Sequence, residues 1–211
     1  MKKLLISTAV LAVSAGIANA ADLTTGYYFD LGAGWNHADE AHFKSDGLDD
    51  KALYDEGWVG DAALGYAWGN NFRTELEGGY RYNGVSELKG TGASGSGGNF
   101  NAWSLMANAI YDFKNNTPWT PYLGAGMGAA FEEAHQIGNV FAANTTINKS
   151  DTQFAYQGIV GIDYDLNAQS AWGVRYDYLG TTQGNFVTNT TGKTTGDYGN
   201  NAILMTYRHS L

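Results

Sequence analysis

The sequence predicts an all-β fold, an eight-stranded antiparallel transmembrane β-barrel. Three observations carry that expectation. Apolar and polar residues alternate with a period of two in eight segments, and successive side chains of a strand leave opposite faces. The connections between these segments run long, short, long, short, long, short, long, the pattern of extracellular loops and periplasmic turns in barrels whose termini share one side. No Asp, Glu, Lys or Arg falls on the apolar face of any segment, where each charge would cost about 2–4 kcal/mol at the bilayer midplane.

The first segment is Tyr27 to Trp35, with Tyr27, Phe29, Leu31, Ala33 and Trp35 on one face and Tyr28, Asp30, Gly32 and Gly34 on the other. Its end aromatics lie roughly 20 Å apart along the membrane normal once strand tilt is included. An acidic stretch follows to Gly57. The second segment, Trp58 to about Ala67, turns Trp58, Ala62, Leu64 and Tyr66 outward and Asp61 inward. After the turn Trp68-Gly69-Asn70-Asn71, the third sets Phe72, Thr74, Leu76, Tyr80 and Tyr82 against Arg73, Glu75, Glu77 and Arg81. Residues 84–100, rich in glycine and serine, read as flexible coil.

The fourth and fifth segments flank Lys114-Asn115-Asn116-Thr117-Pro118-Trp119-Thr120-Pro121, a run of turn formers. Trp103, Leu105, Ala107, Ala109, Tyr111 and Phe113 share one face of the fourth, and Asp112 lies on the other. Leu123, Ala125, Met127, Ala129 and Phe131 share a face of the fifth, opposite Tyr122, Gly124, Gly126 and Gly128. The inward faces are read as polar or glycine, with a few apolar side chains such as Met106 and Ile110 among them. A polar loop spans Glu132 to Thr152. The sixth segment points Phe154, Tyr156, Val160, Ile162 and Tyr164 outward and Gln157, Gly161 and Asp163 inward. In the seventh, Trp172, Val174, Tyr176 and Tyr178 oppose Arg175 and Asp177. A loop of Thr, Asn and Gly leads to the last, where Ile203, Met205, Tyr207, His209 and Leu211 oppose Leu204, Thr206, Arg208 and Ser210.

Charge placement defines the candidate interior site. All four arginines, Arg73, Arg81, Arg175 and Arg208, fall on inward positions with Asp30, Asp61, Glu75, Glu77, Asp112, Asp163 and Asp177. Lys44, Lys51, Lys89, Lys114, Lys149 and Lys193 fall in loops or turns. An eight-stranded barrel is just wide enough for side chains to fill, so the inward set reads as a salt-bridge network rather than a wide pore. The expected membrane-interface aromatics are Tyr27, Trp35, Trp58, Tyr66, Phe72, Tyr82, Trp103, Tyr111, Phe113, Phe131, Tyr156, Tyr164, Trp172, Tyr178 and Tyr207. A soluble barrel with a ligand-filled apolar lumen would require the inverse arrangement, charges outside and these aromatics within.

The N-terminus opens Met1-Lys2-Lys3, continues with an apolar run to Ala18 and ends in Ala18-Asn19-Ala20. A positive start, a short apolar core and an A-x-A site read as a cleaved signal peptide over 1–20, leaving the barrel domain over 21–211 and implying export to the cell outer membrane. With Lys+Arg 12 against Asp+Glu 21, the net charge of −9 leaves no electrostatic footprint for nucleic acid. The absence of cysteine excludes disulfides and thiolate metal sites. Gly 29 with Pro 2, Tyr 14 and Trp 6 suits a barrel with aromatic girdles.

Sites for chemistry are scarce. His209 and Ser210 are adjacent in a strand and so point to opposite faces, which excludes them as a catalytic dyad; no enzyme activity is expected. Asp39, Glu40, Asp46, Asp49, Asp50, Asp55 and Glu56, with His37 and His42, crowd the first long loop. Their spacing matches no EF-hand, and the expectation is a solvated loop with no metal and no cofactor.

Trp103-Ser104-Leu105-Met106-Ala107-Asn108-Ala109-Ile110-Tyr111-Asp112-Phe113, then Thr120-Pro121-Tyr122-Leu123-Gly124-Ala125-Gly126, resembles the small eight-stranded outer-membrane barrels of Gram-negative bacteria, the opacity and surface-antigen group, related in architecture to the OmpA and OmpX barrels. Phe154-Ala155-Tyr156-Gln157 and Arg175-Tyr176-Asp177-Tyr178 look like that group's later strands. Two departures stand out: the resemblance reaches no peptidoglycan-binding domain, and Leu211 ends the chain where the group usually has Phe. The resemblance implies a surface-interaction role, adhesin- or antigen-like, carried by the extracellular loops; the alternative is a porin-like narrow pore for small solutes. It also implies contact with outer-membrane lipid and lipopolysaccharide, passage by periplasmic chaperones and the barrel-assembly machinery, and a host or surface ligand at the loops.

Overall fold

Strand formation follows from the period-two pattern, since each segment buries one face and presents the other. The computed structural model describes residues 25–38, 41–45, 48–54, 56–89, 99–137, 147–182, 184–187, 193–196 and 199–211. The expected signal peptide and the glycine–serine loop tip at 92–98 lie outside them.

The described residues form twelve strands: β1 (Gly26–Ala38), β2 (Ala41–Ser45), β3 (Leu48–Tyr54), β4 (Gly57–Ala67), β5 (Phe72–Lys89), β6 (Asn99–Asp112), β7 (Trp119–Ile137), β8 (Ile147–Asp165), β9 (Ser170–Thr181), β10 (Gly184–Val187), β11 (Lys193–Gly196) and β12 (Gly199–Ser210). Eight of them, β1, β4, β5, β6, β7, β8, β9 and β12, pair antiparallel with their neighbours in that order, and β12 returns to β1. The closing ladder runs from Tyr28 opposite Ser210 to Ala38 opposite Asn200. Closure leaves no membrane-level edge, which is how a β-structure satisfies its backbone in lipid.

The remaining four strands correct the reading of the long connections as loops without strands, and of 84–100 as flexible coil. β2 and β3 form a hairpin in the acidic first loop, β3 continues onto β5 from Tyr54 opposite Val85 to Lys51 opposite Lys89, and β5 thus extends into the segment expected to be flexible. β10 and β11 form a second hairpin inside the Thr/Asn/Gly loop, and Thr195 of β11 pairs with Lys44 of β2. β7 and β8 likewise run into the polar loop as far as Ile137 opposite Ile147. The cause is continuity: a ladder already aligned by the barrel propagates at little further entropic cost, because loop closure has been met below. At the other end, Trp119, Thr120 and Pro121 belong to β7 rather than to the turn. Proline is tolerated in the first residues of a strand, where one ladder bond is missing.

Candidate functional site

The barrel wall is inverted relative to a soluble protein. Outward side chains of β4, β7 and β12 such as Leu64 (68%), Met127 (63%) and Met205 (60%) are exposed, while Asp30, Asp61, Arg73, Glu75, Glu77, Arg81, Asp112, Asp163, Arg175, Asp177 and Arg208 on the inward face are each at most 9% exposed. Apolar side chains therefore face lipid and charges face the lumen.

Inside, seven carboxylates meet four guanidiniums. Arg175 on β9 is the hub. Its Nη2 donates to Asp61, its Nε donates to Asp177 at 2.9 Å, its Nη1 lies 3.6 Å from Asp30, and Glu77 is 3.9 Å away. Asn108 and Gln157 donate amide protons to Glu77 Oε2 at 2.9 and 3.3 Å, so the carboxylate is held from three strands. Nearer the periplasmic end, Arg73 Nη1 donates to Glu75 at 2.6 Å and Arg73 Nε to Asp112 at 3.0 Å. The Tyr28 hydroxyl donates to the same Glu75 oxygen at 2.7 Å, and the Tyr122 ring lies 4.7 Å from the Arg73 guanidinium. Arg208 Nη2 is 3.0 Å from Asp163 Oδ2, an ion pair without hydrogen-bond alignment. Arg81 donates to Ser104 at 3.1 Å. Ten of the eleven inward charges thus form two groups, one around Arg175 and one around Arg73, with Arg208–Asp163 beside the second, while Arg81 is set on Ser104.

Glycines make room for this packing. Gly65 lies opposite Tyr28 and Gly161 opposite Tyr122. A Cβ at either glycine would run into the facing tyrosine ring, so the two rings lie flat on the wall and turn their hydroxyls into the lumen.

The reading of the inward face as polar or glycine needs correction. Val59, Ala202 and Leu204 form one buried apolar cluster, Met106, Ala130, Ala155 and Leu179 another, and Ile110, Tyr122 and Ile159 a third. The first two sit toward the extracellular half, beside and above the Arg175 group. Beyond them Asn36 and Asn83 exchange amide hydrogen bonds of 3.0 and 3.2 Å. The sequence signal was present in Val59, Ile159 and Leu179, apolar residues at inward parity. At the periplasmic end a cavity of about 20 Å³ lies among Tyr28, Arg73, Asp112, Lys114, Arg208 and Ser210, room for a water molecule rather than a channel.

The aromatic residues line the outside in two bands. Toward the periplasm, Tyr27 faces Tyr66, Phe72 faces Tyr111, and Tyr164, Trp172 and Tyr207 follow one another across β8, β9 and β12. Phe113 packs on Tyr111 at 5.1 Å. Toward the extracellular side, Trp35 faces Trp58, Trp58 faces Tyr82, and Trp103 faces Phe131. Tyr156 and Tyr178 lie on the same outer wall with ring centroids 6.5 Å apart.

The match to known proteins follows this geometry. The family model described as the outer membrane protein β-barrel domain matches residues 5–206. The chain belongs to that family. An "Outer membrane protein" of Gluconacetobacter diazotrophicus is 31% identical over 184 residues, covering 79% of this chain and 48% of the relative. The chain therefore spans about half the length of that curated relative. The crystal structure of Neisserial surface protein A is similar with a TM-score of 0.57 at 19% identity, covering 89% of this chain and 98% of that one. OprG from Pseudomonas aeruginosa gives a TM-score of 0.57 at 17% identity, with 93% and 100% covered. At these identities the two structures show the fold. This outer-membrane barrel is thus integral to the cell outer membrane, with lipid against its outer wall.

His209 turns away from Ser210 and toward β9. Its Nδ1 lies 2.8 Å from Ser170 Oγ, its register partner, and Tyr207 OH is 3.3 Å from the same hydroxyl. Neither ring nitrogen of His209 meets a carboxylate among the described contacts, so the orienting partner of a catalytic base is missing from this cross-strand pair. No group of three His, Cys, Asp or Glu among the described residues is arranged to hold a metal ion.

Proposed function

We propose that this outer-membrane barrel is a surface-interaction protein, adhesin- or antigen-like, whose extracellular loops carry its role and whose lumen is a structural plug. One observation supports the reading above the others: the eleven charged side chains of the two lumen groups and Arg81 are each at most 9% exposed. The Arg175 group is buried, and the apolar clusters around Leu204 and Leu179 lie in series with it. An aqueous ion path needs both to part, at the cost of leaving carboxylates unpaired in a desolvated interior. The structure-forming half of the molecule is then the membrane wall, and the part free to vary is the loop set above it.

In this reading the N-terminal segment directs export, periplasmic chaperones and the barrel-assembly machinery deliver the chain, lipopolysaccharide surrounds the outer leaflet, and the aromatic bands sit at the two interfaces. No catalysis is assigned.

The test has two arms. Refolded barrel in planar bilayers is expected to show no persistent conductance, and cells displaying a variant lacking 92–98 are expected to keep a folded barrel while losing their surface interaction. A stable conductance indifferent to loop trimming would replace this reading with the porin-like one.

A further inference from the structure

Arg208, on the inward face of β12, is 3% exposed, and neither its Nε nor its Nη2 meets an acceptor within the protein. The register shows why. Its partner on β1 is Asp30, whose carboxylate lies 3.6 Å from Arg175, and its partner on β9 is Ala171, whose side chain has no acceptor. Asp163 of β8 comes within 3.0 Å, yet out of line for a hydrogen bond. By contrast, Arg73, Arg81 and Arg175 each donate at least one side-chain hydrogen bond. A guanidinium carries five N–H donors and accepts nothing. Buried donors without partners are costly enough to mark the place of a water or an ion.

Arg208 lines the cavity of about 20 Å³ at the periplasmic end. Arg73 and Lys114 line it too, against a single carboxylate, Asp112. Three cations less one carboxylate leave the wall with a formal charge of +2. Glu75 and Asp163, the acids paired with the two arginines, are not on that wall. Exposed Gly69 and the half-buried turn residues Asn71 and Lys114 also border the cavity, so it is reached from the periplasmic side.

The volume and the donors together select the occupant. A cavity of about 10–15 Å³ takes one water, so this one admits a single particle slightly larger and has no room for a tetrahedral oxyanion. A water among these cations would accept from them, but its own two hydrogens would compete for Asp112, which Arg73 Nε already holds at 3.0 Å. A monatomic anion accepts from every donor and brings no hydrogen of its own, and bonds from charged donors are the stronger kind.

We infer that this cavity is a binding site for one small monovalent anion of chloride size, held by Arg208 with Arg73 and Lys114 adding positive charge. The anion gives the Arg208 donors their acceptor and ties the start of β5 and the β6–β7 turn to the end of β12. The site lies at the opposite end of the barrel from the extracellular loops and is independent of the surface-interaction reading.

The experiment uses the refolded full barrel in a zwitterionic detergent, with sodium gluconate exchanged for sodium chloride at constant ionic strength. The chloride NMR line is expected to broaden saturably, and bromide, but neither sulfate nor gluconate, is expected to reverse the broadening. The urea midpoint is expected to be higher in chloride than in gluconate, because an anion that binds only the folded barrel stabilises it. Arg208→Gln, checked for heat-dependent gel mobility as a sign of a folded barrel, is expected to lose both effects. Lys114→Gln, at the solvent-reached border, is expected to weaken chloride binding about two- to fivefold. If Arg208→Gln does not fold, Arg208→Lys joins Lys114→Gln, and unchanged chloride binding in both overturns the inference. A folded barrel without saturable broadening holds water only and overturns it as well. Broadening that survives Arg208→Gln places the anion elsewhere, and reversal by sulfate as readily as by bromide removes the size limit; either result rejects this site.

Discussion

Arg175 and Asp61, 114 residues apart in sequence, are joined directly across the lumen, Nη2 of the first donating to Oδ2 of the second. The pair links β9 to β4, two strands on different sides of the closed ladder order. Because Asp177, Asp30 and Glu77 surround the same guanidinium, this contact couples strands that never hydrogen-bond to one another through their backbones.

Arg175→Ala is expected to destabilise the barrel by about 3–5 kcal/mol, because several carboxylates are left buried without their cation. Arg175→Lys should recover only part of it, since a single ammonium cannot reproduce the guanidinium fork that serves Asp61 and Asp177 together. Gln169→Ala, in the exposed β8–β9 turn, is expected to stay within about 0.5 kcal/mol of wild type. Urea unfolding in lipid vesicles measures all three. Comparable small effects at positions 175 and 169 would show that the lumen charges do not hold the barrel together.

Which residues face inward was legible from the sequence because parity in a strand is fixed by geometry: once Trp172 and Val174 are outward, Arg175 and Asp177 are inward. Which arginine meets which acid was not. Asp61 and Asp30 reach Arg175 through the stagger of the closed ladder, a property of all eight strands at once, whereas Asp177 is its i+2 neighbour on the same face of β9. The β10–β11 hairpin escaped for a different reason. Its Gly-, Asn- and Thr-rich sequence carries no apolar alternation, and its pairing is inherited from β9 and β12 below. The apolar clusters at Val59 and Leu179 were visible at inward parity, but a lumen expected to be polar gave them no place.

Glycine substitutions should differ in sign according to what faces them. A Cβ at Gly65 meets the Tyr28 ring, whose hydroxyl is held by Glu75 at 2.7 Å. Gly65→Ala is therefore expected to cost about 1–3 kcal/mol through overpacking. Gly78 on the lipid face has nothing within 4 Å of its would-be Cβ, so Gly78→Ala should stabilise by about 0.5–1 kcal/mol through reduced freedom of the unfolded chain. The same vesicle titration decides it, and a stabilising Gly65→Ala would show that Tyr28 is free to move aside.

The lipid face makes a separate prediction. Met127 is 63% exposed on β7 and lies opposite Ala107 and Tyr156, well inside both aromatic bands. Met127→Arg is expected to cost about 2–4 kcal/mol in a bilayer and to lower the yield of folded barrel on heat-shift gels. Met127→Leu should be nearly silent. A tolerated arginine would place this stretch of β7 outside the hydrocarbon.

The last prediction concerns conduction, and it follows from two barriers standing in series. The Arg175 group blocks with paired charge, whereas Met106 and Leu179 in one cluster and Val59 and Leu204 in the other block with apolar volume. A narrow apolar constriction resists water and ions even when the charges beneath it are removed. Arg175→Ala alone should therefore leave single-channel recordings silent, and so should Met106→Ala combined with Leu179→Ala, because the charged group still closes the path below. Only the triple variant, if it folds by the heat-shift criterion, is expected to pass any current, and that a small one, since the Arg73 group still fills the lumen nearer the periplasm. Conductance from Arg175→Ala alone would mean that the apolar clusters are no barrier and that the paired charges act as a gate, which would move the whole molecule toward the porin-like reading.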